Sequence, residues 1–187
     1  NNKLGEVTFN LDVKGAHYDR QRPSIILKGL IAAIEYSNYK YENITLDGEY
    51  KHGGFNGKAE LNDENGSVAV NGSINLVEKI PTFDFQASIK NLRPHELNLT
   101  QKYEDTEFSV KVTANFKGGS IDQMNGDIDI DSLQFTAPEK EYFMKNLHVA
   151  ATQEAGINKL ALTSEFMTAN VEGRFLYPTL PASIMNI

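Results

Sequence analysis

The sequence predicts an all-β chain, a long antiparallel meander of about ten or eleven strands. Three observations carry that prediction. Apolar residues recur at every second position in one stretch after another, short turns of Gly, Asn and Asp separate the stretches, and many stretches exceed the usual ~five or six residues without a Pro. The clearest pair runs from Phe108 to Phe135. Phe108, Val110, Val112, Ala114 and Phe116 share one face of an extended strand, and Ser109, Lys111, Thr113 and Asn115 the other. After Gly118-Gly119 the pattern resumes, with Met124, Gly126, Ile128 and Ile130 inward and Asn125, Asp127, Asp129 and Asp131 outward. A one-residue slip would bury carboxylates, so the alternation fixes the register of this hairpin.

The remaining elements follow in order. Between Gly5 and Gly15, Val7, Phe9, Leu11 and Val13 alternate with Thr8, Asn10, Asp12 and Lys14; Tyr18 to Arg22 then reads as a polar loop ending at Pro23. From Ser24 the pattern is weaker. Ile26, Lys28, Leu30, Ala32, Ile34 and Tyr36 share one strand parity, while a short helix around Leu30 to Ile34 is the alternative. Tyr36, Tyr39 and Tyr41 lead into Ile44, Leu46, Gly48 and Tyr50, closed by His52-Gly53-Gly54. Phe55, Gly57, Ala59 and Leu61 continue, and Asn65-Gly66 supplies tight-turn chemistry before Val68, Val70, Gly72, Ile74 and Leu76 return. Phe83, Phe85, Ala87 and Ile89 follow Pro81, and the run from Leu92 to Leu99 breaks the alternation as a turn or one short helix. Beyond the hairpin, a turn at Ala137 to Lys140 precedes Leu147, Val149 and Ala151. Then come Leu160, Leu162, Ser164 and Phe166, and finally Ala169, Val171, Gly173 and Phe175.

At 187 residues the chain can bury a sizeable core without staples, and with no cysteine it has no disulfides. A formal net charge of −7 and the absence of a Lys/Arg block argue against nucleic acid as a partner. The longest apolar run, Ile25 to Ile34, is about half the ~20 residues that a membrane span needs. The chain starts at Asn1 without a methionine and reads as a piece of something longer, so an anchor is expected outside it.

Small residues recur in the inward series at Gly48, Gly57, Gly72, Ala87, Ala114, Gly126 and Gly173. Such positions let a long sheet bend toward its apolar side. Periodicity leaves open whether that side is a groove or closes on itself as a dry β-sandwich.

The cadence of Ile44 to Tyr50, Phe55 to Leu61, Val68 to Leu76 and Phe83 to Leu92, repeated in Met124 to Leu133, resembles the repeating units of the AsmA and TamB envelope proteins of Gram-negative bacteria. The resemblance spans about Gly5 to Tyr177 and rests on alternation, a mid-strand Gly and a preceding turn. It implies a β-taco: a sheet folded into a U-shaped trough, held in the periplasm and tethered to the inner membrane by a segment outside this sequence. The family is associated with phospholipid transport and outer-membrane assembly, so the resemblance implies three partners: phospholipid or another acyl-chain ligand, neighbouring repeats of the same chain, and an outer-membrane barrel protein. Matched onto the apolar positions, it gives a lining of Val7, Phe9, Leu11, Val13, Ile44, Leu46, Val68, Val70, Phe83, Phe85, Ile89, Phe108, Val110, Val112, Ile128 and Ile130. The competing readings are an adhesin-like or carbohydrate-binding sandwich and a ligand-free spacer.

No enzyme, cofactor or metal site is expected. Asp127, Asp129 and Asp131 resemble the start of a calcium loop, but Ser132 stands where Gly is needed and Pro138 where the bidentate Glu belongs. His17, His52, His95 and His148 lack metal-ligand spacing, and no Gly-x-Ser-x-Gly elbow occurs. Asn-x-Ser/Thr triplets at Asn43, Asn65, Asn71 and Asn98 are frequent enough in this composition to arise by chance. Tyr36, Tyr39 and Tyr41 read as a strand-edge cluster in preference to a sugar-stacking patch. Leu176 to Ile187 has the pattern of an amphipathic helix start.

Overall fold

The computed structural model describes residues 4–16, 24–51, 53–76, 79–102, 104–119 and 123–176. The expected loop at Tyr18 to Arg22, the turn residue His52 and the terminal helix beyond Leu176 lie outside the described residues, as does His17. Among the described residues eleven strands form: β1 (Leu4–Ala16), β2 (Ser24–Tyr36), β3 (Tyr39–Lys51), β4 (Gly54–Asp63), β5 (Gly66–Asn75), β6 (Thr82–Leu92), β7 (Glu107–Lys117), β8 (Asn125–Ala137), β9 (Lys140–Glu154), β10 (Ile157–Ser164) and β11 (Thr168–Gly173). All eleven belong to one antiparallel sheet whose spatial order is the sequence order. β1 and β11 are its two edges, so the sheet is an open meander consistent with a taco-like trough, and not a barrel. Among the described residues there is one sheet and few apolar side chains are buried, whereas a sandwich has two sheets that bury their facing sides.

The turns follow from their residues. The Asn65 backbone N–H donates to the Asp63 carboxylate at 2.9 Å, and two residues carry β4 into β5. Ser37 and Asn38 take φ of 52° and 63°, which closes β2 onto β3 in two residues. The even-to-odd connections, from β2–β3 to β10–β11, fall on one margin of the sheet, here the first margin; the other connections fall on the second.

Two sequence expectations need correction. β2 is a strand, not a helix, but its parity is the reverse of the expected one. Ile25, Leu27, Gly29 and Ile31 pair with the inward positions of β1 and β3, while Ile26, Lys28 and Leu30 lie on the outer side. The reason is a register shift between Thr8 and Phe9 of β1, opposite Ala33 and Ile31, after which Ile34 rejoins the inward set beside Tyr41. Phe166 does not continue the inward series of β10: the strand ends at Ser164, and Phe166 stands in a bend, 69% exposed.

Candidate functional site

Register carries one inward residue per strand into rows that cross the sheet. One row reads Val13, Leu27, Gly48, Gly57, Gly72, Phe85, Ala114, Ile128, Val149, Leu162, Ala169 and touches every strand. The next reads Leu11, Gly29, Leu46, Ala59, Val70, Ala87, Val112, Ile130, Leu147. Toward the first margin Phe9, Ile31, Ile44, Leu61, Val68, Ile89 and Val110 align. Toward the second, Tyr50, Phe55, Ile74, Phe83 and Phe116 align. Eleven strands at ~4.8 Å give this apolar face a length of about 50 Å, and four rows at ~6.8 Å a width of about 20 Å.

Most of the face remains within reach of solvent. Among the described residues, the buried apolar ones are Tyr41, Leu92, Leu97, Val110, Ala114, Met124 and Ala151. Of the expected lining, Leu11, Ile44, Leu46, Val68, Val70, Phe83, Phe85, Ile89, Phe108, Val112, Ile128 and Ile130 are half-buried by their strand neighbours, and Val110 is buried. Val7, Phe9 and Val13 sit on the edge strand and are exposed, Phe9 at 62% and Val13 at 60%. Aromatic rings and small residues interlock. Phe83 stacks on Phe116 with centroids 4.6 Å apart, Phe85 faces Gly72, and Phe116 faces Gly126. A Cβ on Gly72 would lie 2.2 Å from the Asp84 carbonyl oxygen, and one on Gly126 2.2 Å from that of Asn115.

Part of the first margin is covered. Residues 93–99 fold back over β3–β6 and bury Leu97 completely, against Tyr41, Leu92 and the half-buried Ile44, Leu61, Val68 and Ile89. The expected turn or short helix is a turn, with Leu97 N–H donating to the Arg93 carbonyl at 3.1 Å. The Tyr41 hydroxyl donates to the Leu97 carbonyl at 2.7 Å. Tyr39 meets Tyr41 edge-on at 4.8 Å and donates to the Asp63 carboxylate at 2.5 Å, so these tyrosines build the core of this margin.

Burial, then the hydrogen-bonded Asp63 carboxylate, push the Tyr39 phenol up to about 12. A free tyrosine ionises near ~10, so the stability this site contributes is complete below about pH 10 and is lost as the pH rises toward about 12. An alkaline titration following tyrosinate absorbance and unfolding together should show that loss, and Tyr39→Phe should flatten it. An unchanged profile in the variant would refute the assignment.

The outer side carries most of the charged residues, with Ile26 and Leu30 of β2 as apolar exceptions. Asp12, Lys28, Asp47 and Lys58 oppose one another in one row, and Lys28 pairs with Asp47 at 2.8 Å. His148 Nδ1 lies 2.6 Å from Asp129 and its Nε2 3.7 Å from Asp127, a pairing on adjacent strands. No three metal-ligating side chains converge among the described residues. A hollow of 510 Å³ is lined by Ala32 and Ala33 among the charged Glu6, Glu35, Lys40 and Glu42, and one of 420 Å³ by Arg93, His95, Asp105 and Glu107; the charges around both favour water over an apolar guest.

The sequence reading missed several contributors to the face. Ile25, Leu27 and Ile31 were hidden by a segment apolar on both parities. Tyr41, Leu92 and Leu133 fall out of phase because Asn43, Asn91 and Ser132 take φ of 57°, 50° and 54°, so the inward series advances by three residues there. Asn is the residue type most tolerant of that conformation after Gly, and two of these three positions carried that signal. Among known proteins, no family model matches this chain, and neither a curated protein sequence nor a solved structure is similar to it.

Proposed function

We propose that the chain is a lipid-holding segment whose apolar sheet face takes acyl chains, in the manner that its resemblance to AsmA and TamB units implies. The observation that carries this reading is the face itself: four continuous apolar rows with no second layer of the protein against most of them. Covering such a face with an acyl chain of roughly sixteen carbons returns ~0.8 kcal/mol per methylene, about 12 kcal/mol gross before the cost of ordering the guest. A polar head group stays in water at the margin. Moving along the trough then exchanges one apolar surface for another, and no bond is made or broken. The same resemblance supports a periplasmic site tethered by a segment outside this sequence, with neighbouring repeats at the β1 and β11 edges and an outer-membrane barrel as partner. Among the described residues no helix is long and apolar enough to cross a membrane.

Titration with a fluorescent fatty acid tests the proposal. Val112→Lys, on the inward face, is expected to weaken binding at least ~100-fold, the cost of placing a charge against hydrocarbon. Thr113→Lys, on the exposed outer side of the same strand, should leave affinity unchanged. Equal affinities in the two variants, or no binding by the parent protein, would exclude the apolar face as the site.

A further inference from the structure

Residues 93–99 do more than bury Leu97: their position gives the face a direction. They leave β6 at the first margin and reach back across three strands to the β2–β3 turn, where the Asn98 side-chain amide donates to the carbonyls of Ser37 at 3.2 Å and Asn38 at 3.3 Å. The Tyr41 hydroxyl holds the Leu97 carbonyl from below, and the Arg93 N–H donates to the Asn65 carbonyl at 2.9 Å. This strap is thus fixed at both ends and across its middle. At the second margin Tyr50 stands one residue before the end of β3, and Leu76 follows the last residue of β5; both side chains are exposed.

Resting on the lipid-holding reading, we propose that the strap is an end-stop that lets an acyl chain bind over β3–β5 in one orientation only, methyl terminus over the half-buried Ile44, Leu61 and Val68 at the strap and polar head at the second margin. The distance supports it. From Val68, beneath the strap, to Ile74 is six residues of strand, about 20 Å, the scale of one extended long acyl chain. The head group of a chain inserted the other way would be pressed against Ile44, Leu61 and Val68, which carry no polar side-chain atom, and the nearby Tyr41 and Tyr39 hydroxyls are already engaged. An unsatisfied carboxylate or phosphate there is strongly disfavoured. The chain's own geometry therefore selects the orientation, with no head-group recognition required.

Two palmitic-acid probes, one with a diazirine near the methyl end and one with it beside the carboxylate, test this on the intact chain by photolysis and peptide mapping. The methyl-end probe is expected to label residues 92–99, Leu61 and Val68 at least about fivefold over Tyr50 and Phe55, and the carboxylate-side probe to show the reverse preference. Asn98→Ala, which frees the strap from the β2–β3 turn, should lower methyl-end labelling of residues 92–99 several-fold while labelling of Val70 and Val112 persists. Equal labelling of both margins by both probes, a reversed order, or no response to Asn98→Ala would overturn the end-stop and leave the lipid-holding reading standing. Failure of either probe to label any inward residue would overturn that reading itself.

Discussion

Gly72→Ala is expected to destabilise the chain by about 3 kcal/mol or more, a large part of the 5–15 kcal/mol that holds a typical domain together. Gly72 takes φ of 147°, a region that side-chain-bearing residues rarely enter. The added methyl would also lie 2.2 Å from the Asp84 carbonyl oxygen and 2.5 Å from the Cα of Phe85, both backbone atoms of the adjoining strand. Neither can swing aside as a side chain could. Because Gly48, Gly57 and Gly72 oppose one another across three strands, a displacement at one is passed to the next. Gly15, with open space around its Cβ position on an edge strand, is the control, and Gly15→Ala should change stability by no more than about 0.5 kcal/mol. Urea unfolding of the pair decides the matter; similar midpoints would mean that the glycine row is not what shapes the sheet.

Leu97→Ala should cost about 2–5 kcal/mol, since this is a large side chain with no solvent exposure and the cluster it belongs to draws on six strands, β2 to β7. The loss is bounded by the free energy of undocking residues 93–99, because a strap that releases leaves the strand ladder intact. Hydrogen exchange separates the two cases. Undocking speeds exchange at Arg93 and Leu97 to Leu99, whose amides bond within or beside the turn, while the β3–β4 amides stay protected. Leu99→Ala, at an exposed position two residues on, should be close to neutral. Equal effects at the two leucines would remove Leu97 as the anchor of this margin.

Much of this architecture is legible in the sequence, for definite reasons. Alternation in β1, β4, β5, β7 and the first half of β8 sets charged, amide or hydroxyl residues on most outward positions, so a wrong register would bury several of them and parity follows from the sequence. Asn65-Gly66 and the small inward residues mark a turn and the bends. β2 was harder, because Ile25, Ile26, Leu27, Leu30 and Ile31 are apolar on both sides and Lys28 is the sole charge before Glu35. Its outward direction shows only in its pairing, where Lys28 opposes Asp12 and Asp47 on the neighbouring strands, a contact no local pattern contains. The docking of Leu97 on Tyr41 joins positions 56 residues apart, and nothing in the intervening turns announces it. The same holds for the uncovered face: periodicity assigns sides, and only the assembled sheet reveals that no second layer lies against most of one of them.

Thiol chemistry probes that face most directly, since the chain has no cysteine of its own. Val112→Cys places a single thiol in the middle of the inward rows, and Thr113→Cys one on the outer side of the same strand. With no lipid present, both thiols should react with a small maleimide at rates within about tenfold of each other, because hydrocarbon at Val112 is half-buried and not sealed. Saturating fatty acid should slow Val112→Cys at least about tenfold and leave Thr113→Cys alone. A Val112→Cys thiol that is inert before any lipid is added, or one whose reactivity ignores the lipid, would contradict the account.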